Sequence, residues 1–151
     1  MRLQDLDGMA QHEPSEAGQF HTPLQRYKLN VTFADLGSGA SHSEALAGFP
    51  TDVIIVARAL EIVTAFAGEA DLAVSGGDTG DADGQFASIT IDSLAAGWVD
   101  IIPGAEAAPR YEGDYATDGA DLTFTATELD DVTAGELNYY VYYFTPKLST
   151  D

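Results

Sequence analysis

TDVIIVARALEIVTAF, residues 51–66, decides the fold class, because it is the longest apolar run in the chain and can be read in two ways. Val, Ile, Thr and Phe crowd it, and such β-branched and aromatic side chains suit a pleated, half-buried surface. Its second half also fits a helix, since Ala59, Ile62, Val63 and Phe66 would share one helical face. The β-branched content predicts strand, either one long strand or two short ones. Arg58 and Glu61 interrupt the run, which is also short of the roughly 20 apolar residues that a membrane helix needs.

The segments on either side favour the pleated reading. Upstream, Tyr27, Leu29, Val31 and Phe33 alternate with Lys28, Asn30 and Thr32, the period of a strand with one covered face. Downstream come ADLAVSG, then QFASITID, GWVDIIPG, DLTFTATEL and ELNYYVYYFTP, with turn signals expected at Gly97, Gly104, Gly113, Gly119 and Gly135. Short strands at this spacing, without a long helical segment, predict an all-β sandwich or barrel of seven or eight short antiparallel strands. DLGSGASHSEALAGFP, polar and rich in glycine, reads as a loop. No internal repeat is visible, which argues against a solenoid or propeller.

One domain of ordinary size accommodates 151 residues. Residues 1–22 mix Gln, His, Glu, Pro, Ser and Gly without period and read as a flexible N-terminal arm. The β-domain is expected over 23–146, with 147–151 as a tail. MRLQDLDGMAQHEPSEAG lacks the apolar core of a secretory signal, so the protein is expected to be soluble. The sequence contains no cysteine, which removes disulfides, thiolate metal sites and cysteine nucleophiles.

Charge is the most extreme feature, with 25 acidic against 6 basic residues and a formal net charge of -19. Such a surface repels phosphate backbones and anionic headgroups, so neither nucleic acid nor membrane is expected as a partner. Arg2, Arg26 and Lys28 fall in the first 28 positions, which makes the beginning of the chain its least negative part.

VSGGDTGDADG, residues 74–84, raises the question of calcium. An EF-hand register that uses Asp81, Asp83 and Gly84 puts Thr at the first and twelfth positions, so the bidentate Glu is missing. Asp78, Asp81 and Asp83 converging on calcium in an irregular site is one reading. A Gly/Asp turn between two strands is the simpler one, and no cofactor is otherwise expected. Catalytic patterns are thin: neither GxSxG nor HExxH occurs, and Ser41, His42 and Glu44 sit too close in sequence to resemble a triad assembled from separate elements. The chain is therefore not expected to be an enzyme.

The only tryptophan, Trp98, reads as core or interface, with a sugar platform as the sharper option. In NYYVYYF, strand alternation sends Leu137, Tyr139, Val141 and Tyr143 one way and Tyr140, Tyr142 and Phe144 the other. Both faces are bulky, whereas a strand covered on one side only should show a polar outer face. Tyr140 and Tyr142, together with Arg26, Tyr27 and Lys28 near the arm, are the candidate interface residues.

EIVTAFAGEADLAVSGGDTGDADGQFASITI and the ending DLTFTATELDDVTAGELNYYVYYF, within residues 51–145, resemble small structural proteins of tailed-bacteriophage virions, of the capsid decoration (cement) or head-fibre type. The resemblance lies in an apolar strand ending in TAFAG, a strand running into a Gly/Asp turn, and a Tyr- and Val-rich closing strand after TAG. It implies a jelly-roll β-sandwich without enzymatic activity, often trimeric. It further implies a chain made in the host cytoplasm that binds the outer capsid surface, with the major capsid protein and copies of itself as partners. A carbohydrate- or receptor-binding virion module, using Trp98 and loop acids with or without calcium, is the alternative.

Overall fold

The computed structural model describes residues 23–50, 53–78, 81–101, 115–116 and 121–146. The expected arm, 1–22, and tail, 147–151, lie outside the described residues, as do the glycines at 104, 113 and 119. Nine strands follow one another in the described chain: β1 Gln25–Thr32, β2 Ser41–Ala45, β3 Val53–Ala67, β4 Ala73–Asp78, β5 Asp81–Thr90, β6 Gly97–Val99, β7 Tyr115–Ala116, β8 Asp121–Thr125 and β9 Ala134–Phe144. Two single 3-10 turns, Phe33–Asp35 and Leu129–Asp131, are the only helical pieces among the described residues.

The strands form two antiparallel sheets. The first has the order β1-β9-β3-β6, with the two-residue β7 also on β3, and the second the order β2-β8-β4-β5. The pairing is nested: β1 with β9, β2 with β8, β3 with β6, and β4 with β5. A long hairpin folded over itself and shared between two sheets gives this order, which is that of a jelly roll.

The run that decides the fold class is one strand of 15 residues, β3. Its pairing with β9 slips at Ile55/Ala57, Ile62/Thr64 and Thr64/Ala67. Val53 and Ile55 point into the sandwich, then Leu60 and Ile62, then Phe66, all of them buried. The bulges stretch the inward spacing from two residues to three between Ile55 and Arg58 and to four between Ile62 and Phe66, which is why Ile62 and Phe66 imitate a helical face. Val56 and Val63, displaced by the slips, are left exposed.

The core between the sheets joins Val31, Leu137, Tyr139 and Val141 of the first sheet to Val74, Phe86, Leu122 and Phe124 of the second. Burying each large side chain contributes about 1.5–3 kcal/mol. Close packing also explains part of the glycine usage. At Gly76 a Cβ would lie 2.1 Å from Cε1 of the Phe86 ring, so Gly76 is a strand residue whose missing side chain gives that ring its place. The aspartate run is accordingly not one long turn: β4 reaches Asp78, β5 begins at Asp81, and the two residues are paired.

Three further expectations are corrected. SHSEA within the supposed loop is β2, a polar strand at the edge of the second sheet, where pairing with β8 on one side suffices to hold it. Gly97 begins β6 and Gly135 lies in β9, so neither is a turn residue. At Gly135, φ is 138° and a Cβ would meet the Phe66 ring at 2.1 Å, so the requirement is again close approach.

Candidate functional site

The outer face of the first sheet carries the most distinctive set of exposed groups among the described residues. Strand alternation places Arg26, Lys28 and Asn30 of β1, Glu136, Asn138, Tyr140 and Tyr142 of β9, Ala57, Ala59 and Glu61 of β3, and Trp98 of β6 on this side. The register lines them up in rows: Arg26–Tyr142–Ala57, Lys28–Tyr140–Ala59, and Asn30–Asn138–Glu61–Trp98. Tyr140 is the centre of the patch. Its ring lies 5.6 Å from the Trp98 ring, with the Arg26 guanidinium 5.4 Å and the Lys28 ammonium 5.9 Å from its centroid. Such distances permit cation–π attraction. Trp98 itself is 67% exposed, the most exposed large apolar side chain described, while Tyr140 beneath these neighbours is only 8% exposed.

A hydrogen-bonded ladder crosses the same face. Asn30 donates to Oε1 of Glu136 at 2.8 Å and to Oδ1 of Asn138 at 2.9 Å. Asn138 donates to Oε2 of Glu61 at 3.2 Å, and the Tyr140 hydroxyl donates to the same oxygen at 3.0 Å. Desolvation and the Glu61 carboxylate raise the pKa of Tyr140, and Arg26 opposes them. The hydroxyl therefore remains a donor at neutral pH. The ladder fixes Glu61, the cross-strand neighbour of Trp98, and with it the polar border of the aromatic patch.

Of the five candidate interface residues, the structure brings together Arg26, Lys28, Tyr140 and Tyr142. Tyr27 is the exception, because alternation turns it inward. Its hydroxyl donates to the Ala47 carbonyl at 2.6 Å and its ring meets Phe49 edge-on at 5.5 Å. Tyr27 therefore helps close the edge of the sandwich. Trp98 belongs to the patch by register; the sequence gives its type but not its neighbours, since Trp98 and Tyr140 are 42 positions apart.

The candidate calcium ligands are placed differently. Asp81 and Asp83 stand on β5 and Asp78 ends β4, with the side chain of Asp78 outside the described residues. Among the described residues no group of three or more His, Asp or Glu side chains is arranged to hold a metal ion. On β2, Nε2 of His42 and Oε2 of Glu44 are 3.0 Å apart, but Ser43 points to the opposite face and bonds Thr123 at 3.0 Å. Alternation thus separates the serines of SHSE from His42 and Glu44.

A further polar group lies inside. Arg58 points between the sheets, and its Nε donates to Oε1 of Gln85 at 3.1 Å. The neighbouring Tyr139 hydroxyl is fully buried without a hydrogen-bond partner among the described residues. Burial pushes its pKa up to about 12 against the opposing pull of Arg58.

The fold and this face define a small acidic jelly roll with an aromatic and cationic outer sheet. Among solved structures, the chain is similar to one chain of the "Cyanophage Pam1 capsid asymmetric unit", at 14% identity and a TM-score of 0.59, over 82% of this chain and 85% of that one. At that identity the likeness is one of fold. No family model matches the sequence, and no curated protein does.

Proposed function

We propose that the chain is a non-enzymatic structural protein of a phage virion, which binds the outer surface of the capsid and stabilises or decorates it as an oligomer, a trimer being favoured. The observation that carries this reading is the likeness, over four-fifths of both chains, to a chain of a phage capsid asymmetric unit. The patch on the first sheet supports it: an exposed tryptophan and two cations gathered around one tyrosine ring are what an assembling protein offers to a neighbour. The strong acidity also fits, since a net charge of -19 keeps a surface protein soluble and away from packaged nucleic acid.

Cryo-electron microscopy of the virion that carries this chain tests the proposal. Copies seated on the outside of the shell are expected; a chain found inside the shell, or missing from the particle, overturns it. One feature favours a second reading, a carbohydrate-binding virion module: the Trp98 ring lies open beside the Glu61–Asn138–Asn30 ladder, the apolar-plus-polar pairing that a sugar ring needs. Glycan-array binding that disappears in Trp98→Ala, with or without added calcium, would move the assignment to that reading.

A further inference from the structure

Among the described residues carboxylates are spread widely, but exposed positive charge is confined to one place. Among the described residues the exposed cations are Arg26 and Lys28, side by side on the outer face of the first sheet. At one end of the sandwich, where the β3–β4 and β8–β9 connections meet, Asp71, Glu128, Asp130 and Asp131 are all exposed. That end is built firmly: Thr127 donates to Asp71 from its backbone at 2.9 Å and its hydroxyl at 2.7 Å, and Thr133 N–H donates to the Ala67 carbonyl at 2.8 Å. Lys28 pairs with Tyr140 and Arg26 with Tyr142, whereas β9 begins beside the acidic end at Ala134. At about 3.4 Å per residue, the two surfaces of one copy are roughly 20–27 Å apart. That exceeds a Debye length of about 8 Å at physiological salt, so they cannot neutralise one another within a molecule.

We propose that the aromatic–cationic face of one copy docks on the acidic end of the next. The occupant of the face is thus a second copy of this chain, selected by charge. Arg26 and Lys28 meet carboxylates, and the Trp98 ring supplies the apolar contact. The inference rests on the reading that the chain assembles with itself, and it names the two surfaces. One of them is a sheet face and the other an end of the sandwich, so the contact is heterologous: every copy uses both, which gives a ring where the rotation closes and an open row of copies where it does not, rather than a two-fold dimer. The bulk of the molecule remains repulsive, so the contact holds where salt screens long-range repulsion and fails where salt screens the pairs themselves.

The test uses the full chain in light scattering and analytical ultracentrifugation at about 0.15 M salt. Wild type is expected to self-associate. Arg26→Glu/Lys28→Glu and Asp130→Lys/Asp131→Lys are each expected to weaken association by about tenfold or more. Mixed together, the face-reversed and end-reversed chains should associate again, because the intact face of one meets the intact end of the other and the acidic reversed face meets the basic reversed end. The milder variants Arg26→Gln/Lys28→Gln and Asp130→Asn/Asp131→Asn replace any that fail to fold by circular dichroism. A monomeric wild type, oligomers indifferent to both reversals, or a mixture that stays monomeric overturns the inference. A chain that associates in this way but is absent from capsids would sink the virion reading alone, and capsid-bound monomers would sink this one alone.

Discussion

Two residues show how closely the sandwich is specified. The Tyr139 hydroxyl is buried without a partner among the described residues, and its pKa is raised to about 12 from an ordinary 10.0. The folded state therefore keeps this proton after the unfolded chain has lost it. Its contribution is intact below pH 10 and is lost as the pH climbs through 12. Two pKa units correspond to about 2–3 kcal/mol. In urea titrations Tyr139→Phe should match or exceed wild type at pH 7, since an unpaired hydroxyl is removed, and should show a correspondingly shallower fall between pH 10 and 12. Gly135 is the second case. A Cβ there meets the Phe66 ring and must also adopt φ 138°, so Gly135→Ala should cost about 2–4 kcal/mol of unfolding free energy, read from the urea midpoint. From the sequence, Gly135 reads as a turn marker, because the ring it accommodates belongs to a strand 69 positions earlier.

The strands with regular alternation were the legible elements. β1 and β9 alternate cleanly in sequence, and the inward and outward sets expected for NYYVYYF are those found. β3 was legible in type but ambiguous in period, because its bulges insert extra residues that no local rule announces. β2 was not legible: SHSEA carries no apolar side, and its pairing depends on DLTFT, some 80 residues later. Of the candidate site, the aromatic and basic residue types were readable, whereas the inward turn of Tyr27 and the seat of Trp98 beside Tyr140 emerge only from cross-strand register. Connections matter as well. The Asp71–Thr127 bonds tie the β3–β4 connection to the β8–β9 connection and lower the pKa of Asp71. A carboxylate with a lowered pKa stabilises the fold above its unfolded pKa and loses that effect as the pH falls. Asp71→Asn should melt below wild type at pH 6, and the gap should close as the pH drops below 4, a comparison that thermal melts across pH would make.

At the scale of the whole molecule, a net charge of -19 sets two salt responses against each other. Folding compresses the carboxylates, so screening that shrinks the Debye length from about 30 Å at 0.01 M to about 3 Å at 1 M should raise the melting temperature. Association through Arg26 and Lys28 should weaken over the upper part of the same range. Calorimetry and sedimentation on one salt series would separate the two, and a melting temperature that falls with salt would show that attractive pairs dominate the fold. The nested order of the strands has a mechanical consequence too. Because Gln25 is the register partner of Tyr143, the opening and closing strands of the roll start and finish side by side. A pull applied between those two points opens β1 from β9 like a zipper, one hydrogen bond at a time. A load carried across the faces of the sandwich meets the whole packed core at once. A particle that swells under internal pressure would strain this protein little if it gripped the faces, and would peel it apart if it were tied only to the ends.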